Sequence, residues 1–251
     1  MQFMNKLILI LDTLNREGNV GVVELSRKTD MPTTTVYRIL TELTQHGLVE
    51  RDPETKKYSL GWKLVELSAG VLEREREFYY RPVFEPLLRS LAEQFKDTVY
   101  LTILKNKTAV CIAKFEGDHN LRYYVQVGKE LPFHCSASAK VLLAYLPEEE
   151  QQEIIAVHGF TQYTPSTINS KESLLEHLTQ VRARGYAICD NELEIGAQAL
   201  AVPVLDTVGQ VFASIAIVGP RERISDLSGS ILPALQRVAR EVSSHIRLGG
   251  K

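Results

Sequence analysis

The chain has 251 residues, carries 29 Lys and Arg against 31 Asp and Glu for a formal charge of −2, and is 44% hydrophobic. That length suits two domains better than one, the near-neutral charge excludes nucleic-acid binding through bulk positive charge, and no apolar run reaches the ~18 residues that span a bilayer. Cys111, Cys135 and Cys189 form no Cys-x-x-Cys pair and fit a reducing compartment, and no basic flank, apolar stretch and cleavage site follow in order at the N-terminus, so we expect a cytoplasmic protein.

Leu7, Ile8, Ile10, Leu11 and Leu14 predict a first helix that Gly18 ends. Val23–Thr29 reads as a second short helix, with Val23 and Leu25 as its apolar positions, broken by Asp30-Met31-Pro32. Thr33 stands where an N-cap belongs, and Val36, Ile39, Leu40 and Leu43 then fall at i, i+3, i+4 and i+7. The opposite face carries Thr34, Thr35, Tyr37, Arg38 and Thr41, whose hydroxyls and guanidinium suit phosphate oxygens and base edges in a major groove. Two helices across a tight turn are the helix-turn-helix pattern. Leu48–Arg51 and Lys57–Leu60 read as strands around the turn Asp52-Pro53-Glu54, a wing with Lys56 and Lys57 near its tip. The expected DNA-binding set is therefore Arg27, Lys28, Thr34, Thr35, Tyr37, Arg38, Thr41, Lys56 and Lys57. Residues 1–75 hold ten Lys and Arg against eleven Asp and Glu, so local placement and dimerisation must supply the affinity. The competing reading is a small helical domain that binds protein.

Residues 63–78 read as a linker helix, with Leu64, Leu67, Val71 and Leu72 at helical spacing before the charge run Glu73–Glu77. Pro82 opens a further helix through Val83, Leu87, Leu88, Leu91 and Phe95. From Thr98 the pattern mixes strands (Val99–Leu104, Ala109–Phe115, Leu121–Val127, Tyr186–Cys189, Ala199–Leu205, Val211–Val218) with helices (Ala137–Tyr145, Glu148–Val157, Ser173–Arg184 and a closing helix through Leu235, Val238, Val242 and Ile246). Asp206–Gly209 is a hairpin turn, and Pro233 starts or kinks the closing helix. The expected architecture is α+β: a winged helix-turn-helix domain at 1–62, the linker helix, and a domain at 79–251 built on an antiparallel-rich sheet.

Ser136-Ala137-Ser138 begins a helix with three small residues. Free backbone N–H groups and the helix dipole favour an anion there, and two hydroxyls add donors, so a small carboxylate is the natural guest. Close helix–sheet packing is the plainer explanation of the same residues. His134, Cys135 and Cys189 are an alternative metal-ligand set, although a closed structural site needs about four ligands and no tight spacing supports one. Ser136 or Ser138 near His134 raises an enzymatic alternative, yet Gly-x-Ser-x-Gly, P-loop, His-Glu-x-x-His and Gly-x-Gly-x-x-Gly motifs are all missing. No cofactor is expected.

The chain resembles the IclR family of bacterial transcriptional regulators over nearly its whole length. The resemblance rests on Leu25-Ser26-Arg27-Lys28, Thr35-Val36-Tyr37-Arg38-Ile39-Leu40 and Tyr58-Ser59-Leu60-Gly61 in the first part. In the second it rests on Gly128-Lys129-Glu130-Leu131-Pro132, His134 to Lys140, Arg184-Gly185-Tyr186-Ala187, Asp190, Glu192, Gly196, Ala201 to Val204, Asp206, Gly209 and Val218-Gly219-Pro220. It implies a GAF-like or profilin-like effector-binding domain, operator binding as a homodimer or dimer of dimers, and control of catabolism of organic acids, sugars or aromatic compounds. It places the effector against Tyr123, Leu131, Ala137, Ser138, Cys189 and Ala199, with Asp190 as a neighbouring candidate; Ser136 joins the expected site as a hydroxyl donor at the helix start. Ala199 stands where many members carry Cys, which opens the site to a ring-bearing or sugar-derived acid. The expected function is a DNA-binding regulator, a repressor before an activator, governed by a small organic acid. The alternatives are a protein-interaction scaffold and a metabolite-processing enzyme with a winged-helix accessory domain.

Overall fold

The computed structural model describes residues 3–69, 84–120, 123, 125–206 and 208–247, and the chain divides into two compact units, Met1–Tyr80 and Arg81–Lys251. In the first unit, α1 (Phe3–Glu17), α2 (Val22–Thr29) and α3 (Thr33–Gln45) precede a two-stranded antiparallel wing, β1 (Val49–Arg51) and β2 (Tyr58–Leu60). Ile10, Leu14, Leu25, Val36, Ile39, Leu40, Leu43 and Val49 are buried together, which is the apolar spacing of α1 and α3 converted into a core.

Two local expectations are corrected. Val23 is exposed and Leu25 and Thr29 are buried, because Val22, Leu25 and Thr29 share a face at i, i+3 and i+7 while Val23 lies about 100° away. Pro32, not Thr33, is the residue before the first helical turn of α3: its carbonyl accepts from the N–H groups of Thr35 (2.9 Å) and Val36 (3.1 Å). Residues 62–69 are helical; the rest of the expected linker, together with Pro82 and Val83, lies outside the described residues.

The second unit is a six-stranded sheet in the order β5-β4-β3-β8-β7-β6, antiparallel throughout. Its strands are β3 (Thr98–Lys105), β4 (Thr108–Phe115), β5 (Glu130–Leu131), β6 (Ala187–Asp190), β7 (Ala197–Leu205) and β8 (Val211–Pro220). One face is covered by α4 (Phe84–Phe95) and α8 (Arg221–Arg247), the other by α5 (Ala137–Ala144), with α6 (Glu148–Val157) and α7 (Lys171–Arg184) adding to that layer. Burial on both faces explains why β3, β7 and β8 read as continuous apolar runs instead of alternating ones. Pro203 is tolerated in β7 because β6 pairs only as far as Ala201, leaving that edge open beyond it. Of the strand expected at Leu121–Val127, residues 121, 122 and 124 lie outside the described set and residues 123 and 125–127 are not strand; the sheet's edge is β5 instead, paired with Ala109 and Val110. Pro233 lies inside α8.

Candidate functional site

In the first unit, burial of Val36, Ile39, Leu40 and Leu43 turns the other side of α3 outward. Thr34, Tyr37, Arg38 and Thr41 are exposed and Thr35 is half-buried, with the Thr41 hydroxyl donating to the Tyr37 carbonyl at 2.9 Å. The wing turn is fixed by Asp52, whose Oδ1 accepts from the N–H groups of Thr55 (2.6 Å) and Glu54 (2.9 Å); those amides hold its carboxyl below the usual carboxylate range. A concavity of about 740 Å³ opens between the start of α2 and the wing, bounded by Gly21 to Glu24, Arg27, Arg51, Thr55, Lys56 and Lys57. It gathers four cationic side chains and one acid. Lys28 points elsewhere: its ammonium lies 2.8 Å from Glu17 and 3.8 Å from Glu24, so much of its charge is already answered. Arg51 was absent from the sequence-based set. Its guanidinium lies 5.6 Å from the ring centroid of Tyr58, its partner across the hairpin, and that cross-strand register was the available signal.

In the second unit a cavity of about 380 Å³ lies where α5 begins over the sheet. Its walls include Tyr123, Leu131, Ser136, Ala137, Cys189 and Ala199 from the expected set. They also include Tyr100, Gln126, Lys129, Glu130, Tyr163, Glu194 and Gln198, which are scattered through the sequence on three strands (β3, β5 and β7) and three loops. The start of α5 carries no side-chain cap, so the first amides of the helix have neither an intrahelical acceptor nor a hydroxyl to bond. Burial pushes the Tyr100 phenol well above the usual tyrosine range, an effect that the nearby Ser136 hydroxyl offsets only in part.

Two expected residues are not brought to the cavity. Ser138 is fully buried with an unpartnered hydroxyl and does not line it. Asp190 turns to Arg221, receiving Nε at 2.7 Å and Nη2 at 3.1 Å. Burial raises the thiols of Cys111 and Cys135 to about 12 and that of Cys189 to about 11, so all three are neutral at pH 7, and the Cys189 thiol donates to the Cys135 carbonyl at 2.9 Å. Among the described residues no three His, Cys, Asp or Glu side chains converge as a metal site. The His134 ring stacks on Tyr163 at 6.0 Å and its Nε2 lies 2.8 Å from the Thr161 carbonyl, which buttresses the loop that brings Tyr163 to the cavity.

One wall is built with unusual care. Gly196 has φ +86°, which strains any L side chain, and a Cβ there would sit 3.1 Å from the Tyr123 hydroxyl and press on it. Its N–H donates to the Asn191 side chain at 2.6 Å and its carbonyl accepts from the Arg221 N–H at 2.8 Å.

Comparison with known proteins agrees with this two-part architecture. The family described as "Bacterial transcriptional regulator IclR C-terminal" matches residues 80–244, and "IclR helix-turn-helix domain" matches residues 5–53. The HTH-type transcriptional regulator KdgR of Dickeya chrysanthemi is 36% identical over 96% of this chain and 78% of its own length. The transcriptional repressor IclR of Escherichia coli strain K12 is 31% identical over 83% of this chain and 76% of its own. In fold, the chain is similar to the crystal structure of an IclR homologue from Microbacterium hydrocarbonoxydans complexed with 4-hydroxybenzoate, with a TM-score of 0.77, 21% identity, and coverage of 99% of this chain and all of that one. The matched relatives are named as regulators rather than enzymes, and their two domains are both present here in order. This chain belongs to the IclR family of bacterial transcriptional regulators.

Proposed function

We propose that this protein is a cytoplasmic repressor whose hold on its operator is altered by a small polyhydroxylated acid of a catabolic pathway, and that it works as a homodimer or a dimer of dimers. The observation that carries the reading is the cavity at the uncapped start of α5. Its volume suits a small metabolite. The free amides of Ala137 and Ser138 and the helix dipole favour a carboxylate at one end. The remaining polar lining is chiefly hydroxyl, amide and carboxylate, from Tyr100, Tyr123, Tyr163, Gln126, Gln198, Glu130 and Glu194, with Lys129 as its cation. Carboxylates and amides accept from ligand hydroxyls, while a second acidic group on the ligand would meet repulsion from Glu130 and Glu194. A related fold holding 4-hydroxybenzoate, and a relative named as a repressor, are consistent with acid control of repression.

On the DNA side, Thr34, Tyr37 and Arg38 meet bases or fix register, and Arg27, Arg51, Lys56 and Lys57 grip phosphates. The test is fluorescence anisotropy on DNA from upstream of the protein's own gene, with scrambled competitor, while D-gluconate, pyruvate, 4-hydroxybenzoate and uncharged D-glucose are added in turn. The expected outcome is sequence-selective binding that D-gluconate shifts several-fold and D-glucose leaves unchanged. Equal response to D-glucose would remove the carboxylate from the argument, and a response to pyruvate alone would remove the hydroxyls.

A further inference from the structure

The buried ion pair between Lys140 and Glu192 does not line the cavity, yet the bonds around it lead to the cavity. Lys140 lies in the middle of α5 with its side chain fully buried. Its ammonium has three donors, and all three are used: the Ile188 carbonyl at 2.8 Å and the two Glu192 oxygens at 2.7 and 2.8 Å. The Glu192 backbone carbonyl in turn accepts from the Thr167 hydroxyl at 2.6 Å, and the Asn191 carbonyl accepts from the Thr164 hydroxyl at 2.5 Å. Thr167 Oγ1 accepts from the N–H groups of Thr164 at 2.8 Å and Tyr163 at 3.1 Å.

The Lys140 ammonium and the hydroxyls of Thr164 and Thr167, meeting at residues 191 and 192, therefore link three pieces of the cavity wall. These are α5, whose first turn offers Ser136 and Ala137, the loop that carries Leu193 and Glu194, and the loop that carries Tyr163. Removing two charges from water is costly, and a well-packed apolar pair of similar volume is often as stable or more so. Stability alone gives no reason for an ion pair here. Its geometry does, because two N–H bonds to the Glu192 carboxylate, with a third fixing the ammonium on the Ile188 carbonyl, define where residue 192 stands, and an apolar pair would not.

We propose that Lys140 and Glu192 are positioning residues for effector binding: they hold the 191–196 and 163–167 loops in the arrangement that closes the cavity. The proposal rests on the cavity being the effector site, but its first test does not. Lys140→Met alone would leave a buried carboxylate without its partner and fold poorly, so the informative variant is Lys140→Met/Glu192→Met in the full chain. Two quantities are read on it, the melting temperature and hydrogen–deuterium exchange of the backbone amides. The expected result is a melting temperature at or above that of the unsubstituted protein, with the amides of 191–197 exchanging about tenfold faster or more while those of β3 and β8 stay protected. Protection of 191–197 equal to the unsubstituted protein would overturn the proposal. So would a fall in melting temperature with faster exchange everywhere, because the pair would then serve general stability. A second readout is operator binding with D-gluconate as the probe: the variant keeps its operator affinity and needs about tenfold more D-gluconate for the same shift. An unchanged D-gluconate midpoint overturns the functional half of the proposal. If D-gluconate moves neither protein, it is the ligand assignment that fails, and the exchange result still decides whether the pair sets the loops.

Discussion

At the scale of single residues, the cavity is decided by where each small side chain of the 136–138 triplet points. Ala137 borders the cavity and Ser138, one residue on, does not, although both are fully buried. If the cavity is the effector site, as proposed, Ala137→Leu crowds it and abolishes the effector response while leaving operator affinity unchanged, which the anisotropy assay reads directly. Ser138→Trp overpacks instead, costing about 1–3 kcal/mol or more of stability, and its first sign is a lowered melting temperature. The triplet was legible in the sequence as a helix start with small residues, but its division into lining and packing was not, because 100° of rotation separates neighbours on a helix. Asp190 was equally unreadable: its partner Arg221 is 31 positions away and follows the end of β8, across β7 from β6. His177 offers a different residue-scale test. Burial, with Lys140 and Arg184 nearby, lowers its pKa from 6.5 to about 4, and its Nε2 is buried without a partner. The unfolded chain binds the proton more readily than the folded one between those values. Stability is therefore complete above pH 6.5 and is lost as pH falls towards 4, by about 1–2 kcal/mol after allowing for partial exposure. His177→Gln should flatten that part of the stability–pH curve in denaturant titrations; an unaltered curve would show that another group controls it.

At the scale of elements, α3 and the wing were readable because one physical rule dominates each. The four apolar positions of α3 lie on one face, and all four are buried. Leu40→Ala should cost about 2–5 kcal/mol by leaving a cavity in a unit whose core is small. The turn of the wing follows from Asp52 and from Lys56 at φ +58°, a conformation that glycine adopts without strain. Lys56→Gly should thus leave melting unchanged or raise it slightly, while weakening binding to every DNA sequence alike. Gly61, where the chain leaves the wing, is the opposite case: a Cβ there would lie 2.2 Å from the Gly47 carbonyl oxygen, so Gly61→Ala forces the two segments apart. Two readings that missed have no dominant rule behind them: the strand at 121–127, and the inward face given to Val23 in α2, a helix otherwise found where it was expected. The stretch at 121–127 has the composition of a strand, but β5 is only two residues long and is set by pairing with Ala109 and Val110, a partner choice that local pattern does not encode. In α2, eight residues are too few for periodicity to outweigh a single misplaced valine.

At the scale of the whole molecule, a protein of net charge −2 must bind a polyanion through placement, and the placement can be counted. Arg27, Arg38, Arg51, Lys56 and Lys57 stand outside the ion pairs formed among the described residues, whereas Lys28 is held by Glu17 and Glu24. If those five reach phosphates in each of two copies, the logarithm of affinity should fall against the logarithm of salt concentration with a slope of about −9. Arg51→Ala should reduce that slope by about 0.9 per copy, the loss of one phosphate contact. Lys28→Ala should change it far less, because removing a cation that already neutralises two acids alters little of what the DNA meets. The comparison is internal to one assay, needs no knowledge of the effector, and separates charge that is present from charge that is available. Equal slopes for the two variants would mean that Lys28 abandons Glu17 and Glu24 on binding, and that the acids of α1 and α2 are then left facing solvent rather than the operator.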